Sequence, residues 1–312
     1  MRAGIDGRGE LGKLMLLRLP NRVIRFPRRP LVMGIVNVND DSFSGDGSLD
    51  VDVVLQQAAR QVEAGADMID FGAESARTNR AAIPEAEEVE RFRGVLEGWI
   101  WLVKKLKPVD RHQVWPPVVS ANTWRSEVVR EVLGMGVELI NDMSGLPTSR
   151  NAQHCVEEGA ALLIMHSEGE PKVAHTDREW ADIMGEMRES FRRKIALART
   201  AGLSEDRIVL DPGIDFAKQK EDNLIVLREA EQLQEFGRPV LLPVSRKTVI
   251  GDVLGVEDPA ERDAGSVGCV AVGVARGAQI FRVHNVDAVW QAVAVLDAVE
   301  RGGNDLVKRG GD

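Results

Sequence analysis

Tyrosine is absent from the chain, and aromatic residues make up only 4% of it. A core drawn from its 44% of hydrophobic residues must therefore be aliphatic. Cysteine is nearly absent as well. Cys155 and Cys269 offer neither a metal-ligand spacing nor a disulfide framework, so both read as small buried apolar residues, and a reducing cytoplasm suits them. No apolar run reaches the ~18 residues that a membrane span needs. The opening M-R-A-G-I-D-G-R-G-E-L-G-K lacks the unbroken apolar stretch of a signal peptide. A basic excess is also missing: the formal net charge of -9 argues against a nucleic-acid binder, while leaving room for a local anion site.

Positive charge does gather at the start. Arg2, Arg8, Lys13, Arg18, Arg22, Arg25, Arg28 and Arg29 stand against Asp6 and Glu10. One reading is a targeting or anionic-surface segment. The other is a solvated lead-in followed by a short hairpin, Leu14 to Phe26, that closes the floor of the following domain.

What is there from Leu31 onward is alternation. Short apolar runs at Leu31–Asn37, Met68–Phe71, Val118–Ala121, Leu139–Asn141, Ala161–Met165, Ile208–Asp211, Val240–Val244 and Ile280–Val283 read as eight strands. Between them lie amphipathic stretches with apolar residues at i, i+3 and i+4: Val51–Glu63, Ala86–Leu106, Trp124–Met135, Arg178–Arg199, Glu221–Glu235, Glu261–Arg276 and Asp287–Glu300. Strands alternating with helices mean a parallel α/β sheet, and eight such units favour a closed (β/α)8 barrel over a doubly wound sheet. The expected organisation is an extension over 1–30, a single barrel domain over 31–302, and a disordered tail over 303–312.

Nearly every strand runs into a polar residue: Asn37, Asp70, Asn122, Asn141 with Asp142, His166, Asp211, Ser245 to Lys247, and His284. Any one of them can be a strand-end cap. In a barrel, however, the carboxyl ends of all strands ring one mouth, which is where barrel enzymes work. The polar loop Asn37 to Ser48 carries Gly45 and Gly47 for mobility, Phe43 as an apolar residue and Asp41 as a carboxylate, which suits a lid. Its run of Asp residues also suggests a metal loop, but the spacing matches no EF-hand. The loop Gly72 to Arg80 offers Ser75, Arg77, Thr78 and Arg80 to an anion, or is an exposed turn with solvated arginines. Asp211 lies on a rigid D-P-G turn, where a carboxylate can accept two parallel N–H bonds from a guanidine-like ring edge. Asn122 and Asn141 can meet further ring nitrogens, and Lys247 a ring carbonyl or nitrogen. Arg282 and His284 alternate along the last strand and so face one side. They can clamp a phosphate, or Arg282 can stack on a flat ring.

Together these segments resemble the dihydropteroate synthases of the pterin-binding barrel family, from about Leu31 to Glu300. M-G-I-V-N-V-N-D-D-S-F-S is similar to the family's M-G-I-x-N-x-T-P-D-S-F-S, I-D-F-G-A-E-S-A-R to D-I-G-G-E-S-T-R-P, and V-S-A-N-T-W to I-S-V-D-T. I-N-D-M-S-G-L, I-M-H, L-D-P-G-I-x-F-x-K, S-R-K-T and F-R-V-H complete the set in order. The resemblance implies that p-aminobenzoate attacks the methylene of 6-hydroxymethyl-7,8-dihydropterin diphosphate, giving 7,8-dihydropteroate and pyrophosphate. It implies a pterin site of Asn122, Asn141, Met165, Asp211, Phe216, Lys247 and Arg282. It gives pyrophosphate and Mg2+ to Asn37, Ser75, Arg77, Arg282 and His284, with Asn37 at the metal. It gives the amine to Phe43, Arg77, Thr78, Lys247 and Thr248, and makes Asp211, Lys247, Arg282 and His284 the catalytic set. A cytoplasmic homodimer acting on small molecules, without nucleic acid or membrane, is the expected setting.

The departures fall on the loops. Asn39-Asp40 replaces Thr-Pro, and Ala73, Ala76, Thr78 and Asn79 replace Gly, Thr, Pro and Gly. Asn122 replaces the pterin-pocket Asp, and D-F-A-K replaces G-F-G-K through Asp215 and Ala217. Loss of proline at Asp40 and Thr78 predicts less preorganised loops, a weaker grip on p-aminobenzoate and weaker sulfonamide inhibition. Two alternatives therefore stay open: a pterin-binding paralogue with another acceptor, and a non-synthase pterin or folate barrel. Lys247, Arg282 and His284 speak against a corrinoid-partnered barrel, which needs no such anion residues.

Overall fold

The computed structural model describes residues 14–39, 47–74, 81–173 and 178–301. An antiparallel hairpin, β1 (Met15–Arg18) and β2 (Val23–Phe26), precedes the first barrel strand, β3 (Leu31–Asn37). There follow α1 (Val51–Glu63), β4 (Met68–Gly72), α2 (Glu85–Leu102), β5 (Val118–Asn122), α3 (Ser126–Gly134), β6 (Leu139–Asp142), α4 (Arg150–Glu158) and β7 (Ala161–Met165). The second half runs α5 (Ile183–Thr200), β8 (Ile208–Asp211), α6 (Lys220–Arg228), β9 (Leu241–Leu242), α7 (Thr248–Leu254), α8 (Asp263–Ala275), β10 (Ile280–Val283) and α9 (Val286–Arg301). The eight strands form one parallel sheet in the order β8-β7-β6-β5-β4-β3-β10-β9. A bridge between Leu210 and Val240 joins its two ends, with Leu210 N–H donating to the Pro239 carbonyl at 2.9 Å. The (β/α)8 barrel is thus closed, as expected.

Side chains alternate across a strand, and this sorts the core into two. Val32, Val36, Ile69, Phe71, Ala121, Ile140, Leu162, Ile164, Leu210 and Phe281 face outward and pack with the helices. Leu31, Met33, Met68, Val118, Leu139, Ala161, Leu163, Val209, Leu241 and Ile280 fill the interior. The hairpin adds Leu17, Leu19, Ile24 and Phe26 to that interior group, so it closes the floor. Helices fold where an apolar stripe meets a cap. In α1, buried Val54, Ala58 and Val62 recur every fourth residue, and the Asp50 carboxylate accepts the N–H groups of Asp52 and Val53 at 2.9 and 3.3 Å.

Several boundaries differ from expectation. β9 shrinks from the expected Val240–Val244 to two residues, because Pro239 and Pro243 have no N–H for the ladder. Helix α5 begins at Ile183 rather than Arg178, where Asp182 accepts the Gly185 N–H at 2.9 Å. The stretch Glu221–Glu235 divides into α6 and a 3-10 turn over Ala230–Phe236. Helices α4 and α7 carry no clear sequence signal: R-N-A-Q-H-C-V-E-E buries only Asn151, Ala152 and Cys155, and α7 is a short segment that contains Gly251 and is capped by Gly255.

Candidate active site

The interior positions turn polar at the carboxyl ends of the strands. Asp70, two residues beyond Met68 and wholly buried, is the hub. Its Oδ2 accepts Arg282 Nε at 2.6 Å and Asn141 Nδ2 at 3.0 Å, and its Oδ1 accepts the Ser120 hydroxyl at 2.5 Å. One carboxylate thereby fixes side chains from β5, β6 and β10. Sequence reasoning places Asp70 at a strand end but gives it no role. The signal is its inward parity, with Arg282 and Asn141 on the same interior face.

Asp211 lies across the mouth on β8. Burial raises its carboxyl to about 6, against the Gly213 N–H and the charges of Lys247, Arg282 and Lys218. The Gly213 N–H reaches Asp211 Oδ1 at 2.7 Å. Gly213 has φ 66, and a Cβ there would strike the His166 carbonyl, so glycine is required. Lys218 then staples the loop: its Nζ donates to the carbonyls of His166, Gly213 and Phe216 at 3.2, 3.0 and 2.9 Å. Burial pulls that ammonium down to about 7, against Asp211. Lys247 Nζ donates to the Ile214 carbonyl at 2.8 Å and lies 4.8 Å from the centre of the Phe216 ring. Burial lowers its pKa too, opposed by Asp215 and Asp211. Met165 and Phe216 join the interior apolar group beneath this ring.

The remaining expected residues divide. His284 donates its backbone N–H to the Ser245 hydroxyl at 3.1 Å, and its Nδ1 lies 2.9 Å from the same oxygen. Asn37, Gly72 and Asn122 are partners in adjacent strands, and Asn122 pairs with Asn141. Thr248 is exposed and opens α7. Three polar residues near the strand ends serve the scaffold instead. Asp142 holds Ser144 and Asn151, Arg246 forks onto Asp263 at 2.8 and 3.1 Å, and His166 packs 5.2 Å from Trp180. Burial keeps the His166 imidazole neutral. Phe43, Asp41, Ser75, Arg77, Thr78 and Arg80 lie outside the described residues. The base of their second loop is anchored by buried Glu74, which takes Arg125, Lys172 at 3.0 Å and the Ile83 N–H at 3.2 Å. Among the described residues no three His, Cys, Asp or Glu side chains are grouped to hold a metal, and no helix is long and apolar enough to cross a membrane.

The profile of pterin binding enzymes matches residues 33–284, the span from β3 to the end of the polar ring. The chain belongs to the pterin binding enzyme family. The dihydropteroate synthase of Synechocystis is 35% identical over 280 residues, which is 88% of this chain and 91% of that protein. The Yersinia pestis dihydropteroate synthase, solved in a sulfonamide drug complex, superposes with a TM-score of 0.82 at 30% identity, covering 92% of this chain and 99% of that one. The Xanthomonas albilineans dihydropteroate synthase, solved with 4-aminobenzoic acid, gives 0.78 at 32% identity over 91% of this chain and 98% of that one. Membership of the family gives the departures a setting. Asp215 and Ala217, which replace glycines of the resembled pattern, have φ 68 and 50, a backbone region where glycine is the usual residue.

Proposed function

We propose that this protein is a transferase that condenses 6-hydroxymethyl-7,8-dihydropterin diphosphate with p-aminobenzoate, forming 7,8-dihydropteroate and releasing pyrophosphate. The observation that carries this reading is the Asp70 hub, which holds Asn141 and Arg282 in one frame inside a barrel of this family. The Asp211 carboxylate accepts two N–H bonds from the pterin's amino-pyrimidinone edge, and Asn141 and Asn122 meet other ring nitrogens. Lys247 donates to the ring, Met165 and Phe216 line it, and Arg282 covers it. Engaging Nε with Asp70 fixes the guanidinium plane, leaving the terminal N–H groups as donors for diphosphate oxygens. His284 adds a donor there, as do Ser75 and Arg77. The amine lies among Phe43, Arg77, Thr78, Lys247 and Thr248.

The aniline nitrogen attacks the methylene carbon, and the carbon–oxygen bond breaks with its electron pair on pyrophosphate. The nitrogen then gives its proton to water or to the leaving group. Catalysis rests on steadying charge at that leaving group, and each donor typically supplies ~10²–10³ in rate. Asn37 offers one neutral amide oxygen, a donor set that suits a Mg2+ arriving on the diphosphate and keeping several waters. When bound, that ion supplies further charge stabilisation at the leaving oxygens.

The deciding assay mixes protein, pterin diphosphate, p-aminobenzoate and Mg2+. Dihydropteroate and pyrophosphate in equal amounts are expected, and a sulfonamide should compete with the amine. Pterin binding without dihydropteroate would favour a paralogue with another acceptor. We also propose a cytoplasmic homodimer. Exposed Val272 on α8, with Val295 and Val299 on α9, offers an apolar surface on two helices that pack together. A monomer mass by sedimentation at micromolar concentration would overturn the assembly.

A further inference from the structure

The family resemblance places glycine where this chain has Asp215, on the loop that carries Phe216 and leads away from Asp211. The aspartate does more than tolerate its left-handed backbone. Its Oδ2 accepts the Thr248 N–H at 2.5 Å and its Oδ1 accepts the Val249 N–H at 3.3 Å. Its own N–H donates to Asn223 Oδ1 at 2.8 Å, and Asn223 Nδ2 donates to the Gln219 carbonyl at 2.9 Å. The carboxylate is thus held on two amides at the start of α7, and the backbone behind it is held on Asn223. Lys247 Nζ donates to the carbonyl of the residue before Asp215, Ile214, at 2.8 Å, and Asp215 is the foremost of the charges that oppose the lowering of the Lys247 pKa by burial. Lys247 and Thr248 are the residues that the proposed function gives to the acceptor amine.

A p-aminobenzoate carboxylate entering there meets attraction from Lys247 and repulsion from a fixed anion at its side. A neutral aniline meets neither. We propose that Asp215 is a specificity determinant for the acceptor: its fixed carboxylate offsets the positive charge that Lys247 presents, so the site takes neutral para-substituted anilines nearly as well as p-aminobenzoate. The inference rests on the function proposed above and names the class of acceptor that this site admits. Asp215 bonds Thr248, Val249 and Asn223, so it acts from the acceptor end of the site and not through hydrogen bonds to Asp211, Asn141 or the Asp70 hub.

The test compares kcat/KM for p-aminobenzoate and p-aminobenzamide at saturating pterin diphosphate, in the wild type, Asp215→Asn and Asp215→Gly. Asparagine keeps an oxygen for the Thr248 N–H and removes the charge. Glycine suits the left-handed backbone and removes the side chain. The wild type should give a ratio of the two amines near one. Both variants should raise that ratio roughly threefold to tenfold, as expected for deleting a unit charge several ångströms away at a half-exposed site. The gain should appear in the KM of the anion alone, and should shrink in about 0.5 M salt, where the Debye length is only a few ångströms. An unchanged ratio, or an equal change for both amines, would overturn the inference while leaving the proposed function intact. No product from either amine in the wild type would overturn both.

Discussion

Asp211 is asked to do two opposed things. Burial raises its carboxyl from 3.8 to about 6, while ring recognition needs it ionised. The folded protein therefore binds this proton more tightly than the unfolded chain. Stability falls as pH rises from about 4 to about 6 and then levels off, having lost about 3 kcal/mol. Asp211→Asn should thus raise the free energy of unfolding by about 2–3 kcal/mol at pH 8 and by little at pH 4. The same change should weaken pterin binding by ~2–4 kcal/mol, because an amide cannot accept both N–H bonds. In the wild type, pterin affinity should fall toward tenfold per pH unit below 6, since bound ligand needs the ionised form. Urea titrations and calorimetry across this pH range check both; unchanged stability at pH 8 would mean that Lys247, Arg282 and Lys218 already offset the burial. Asp70 poses a different question, because it touches neither substrate in the proposed arrangement. Asp70→Asn removes the carboxylate charge and can turn an amide N–H, itself a donor, toward two donors, Arg282 Nε and Asn141 Nδ2. Loss of their alignment should lower kcat by about 10²-fold, with a smaller change in pterin affinity. Equal losses in both, or none, would show that Asp70 serves folding alone.

At the level of elements, the barrel strands are legible because each is a short apolar run closed by a polar residue, and seven of the eight keep their expected starting residue. The eighth, β9, is cut down by Pro239 and Pro243. Parity is the harder lesson. Asn141 and Asp142 are neighbours in sequence, as are Met165 and His166, yet alternation sends Asn141 and Met165 into the mouth and Asp142 and His166 toward the helices. A list of polar strand-end residues therefore overstates the site until inward register is fixed by the apolar residue two positions earlier. Lys218 shows the reverse error. It reads as one basic residue of a D-P-G-I-D-F-A-K loop, and only the folded chain shows three carbonyls converging on it. Lys218→Met preserves the length of the side chain but orphans those carbonyls. It should lower stability by about 2–4 kcal/mol and loosen the loop that carries Asp211 and Phe216, so pterin affinity should fall as well. Chemical denaturation and calorimetry on the same variant would separate the effects; full affinity in a destabilised variant would mean that the D-P-G turn holds Asp211 without the staple.

The whole molecule separates stability from chemistry along the barrel axis. The polar ring occupies the carboxyl ends of the strands, and the hairpin occupies the other end. The basic residues of the first segment find their use there. Arg18 meets Asp206 at 2.7 Å, Arg29 meets Asp110 at 2.6 Å with both side chains buried, and Arg22 forks onto Glu138 at 3.0 and 2.8 Å. These pairs fix the hairpin and its connection to β3 against the α-to-β loops. Of the two readings of the basic segment, the hairpin that closes the floor describes residues 15–26. Its apolar side chains, Leu17, Leu19, Ile24 and Phe26, are almost wholly buried. At about 1.5–3 kcal/mol for each fully buried side chain, the group approaches the whole stability of an ordinary domain. Removing the hairpin should therefore unfold the protein rather than inactivate a folded one. A milder change tests the separation itself. Leu17 has no exposed surface and lies among the floor residues, away from the Asp70 hub. Leu17→Ala should lower the free energy of unfolding by about 2–5 kcal/mol, set by how far the floor collapses into the cavity. Below the unfolding transition, kcat and both KM values should match the wild type, because the layers of Met33, Met68 and Leu163 stand between the cavity and the mouth. A KM for the pterin diphosphate that shifts severalfold at a temperature where the variant is fully folded would show that floor and mouth move as one body.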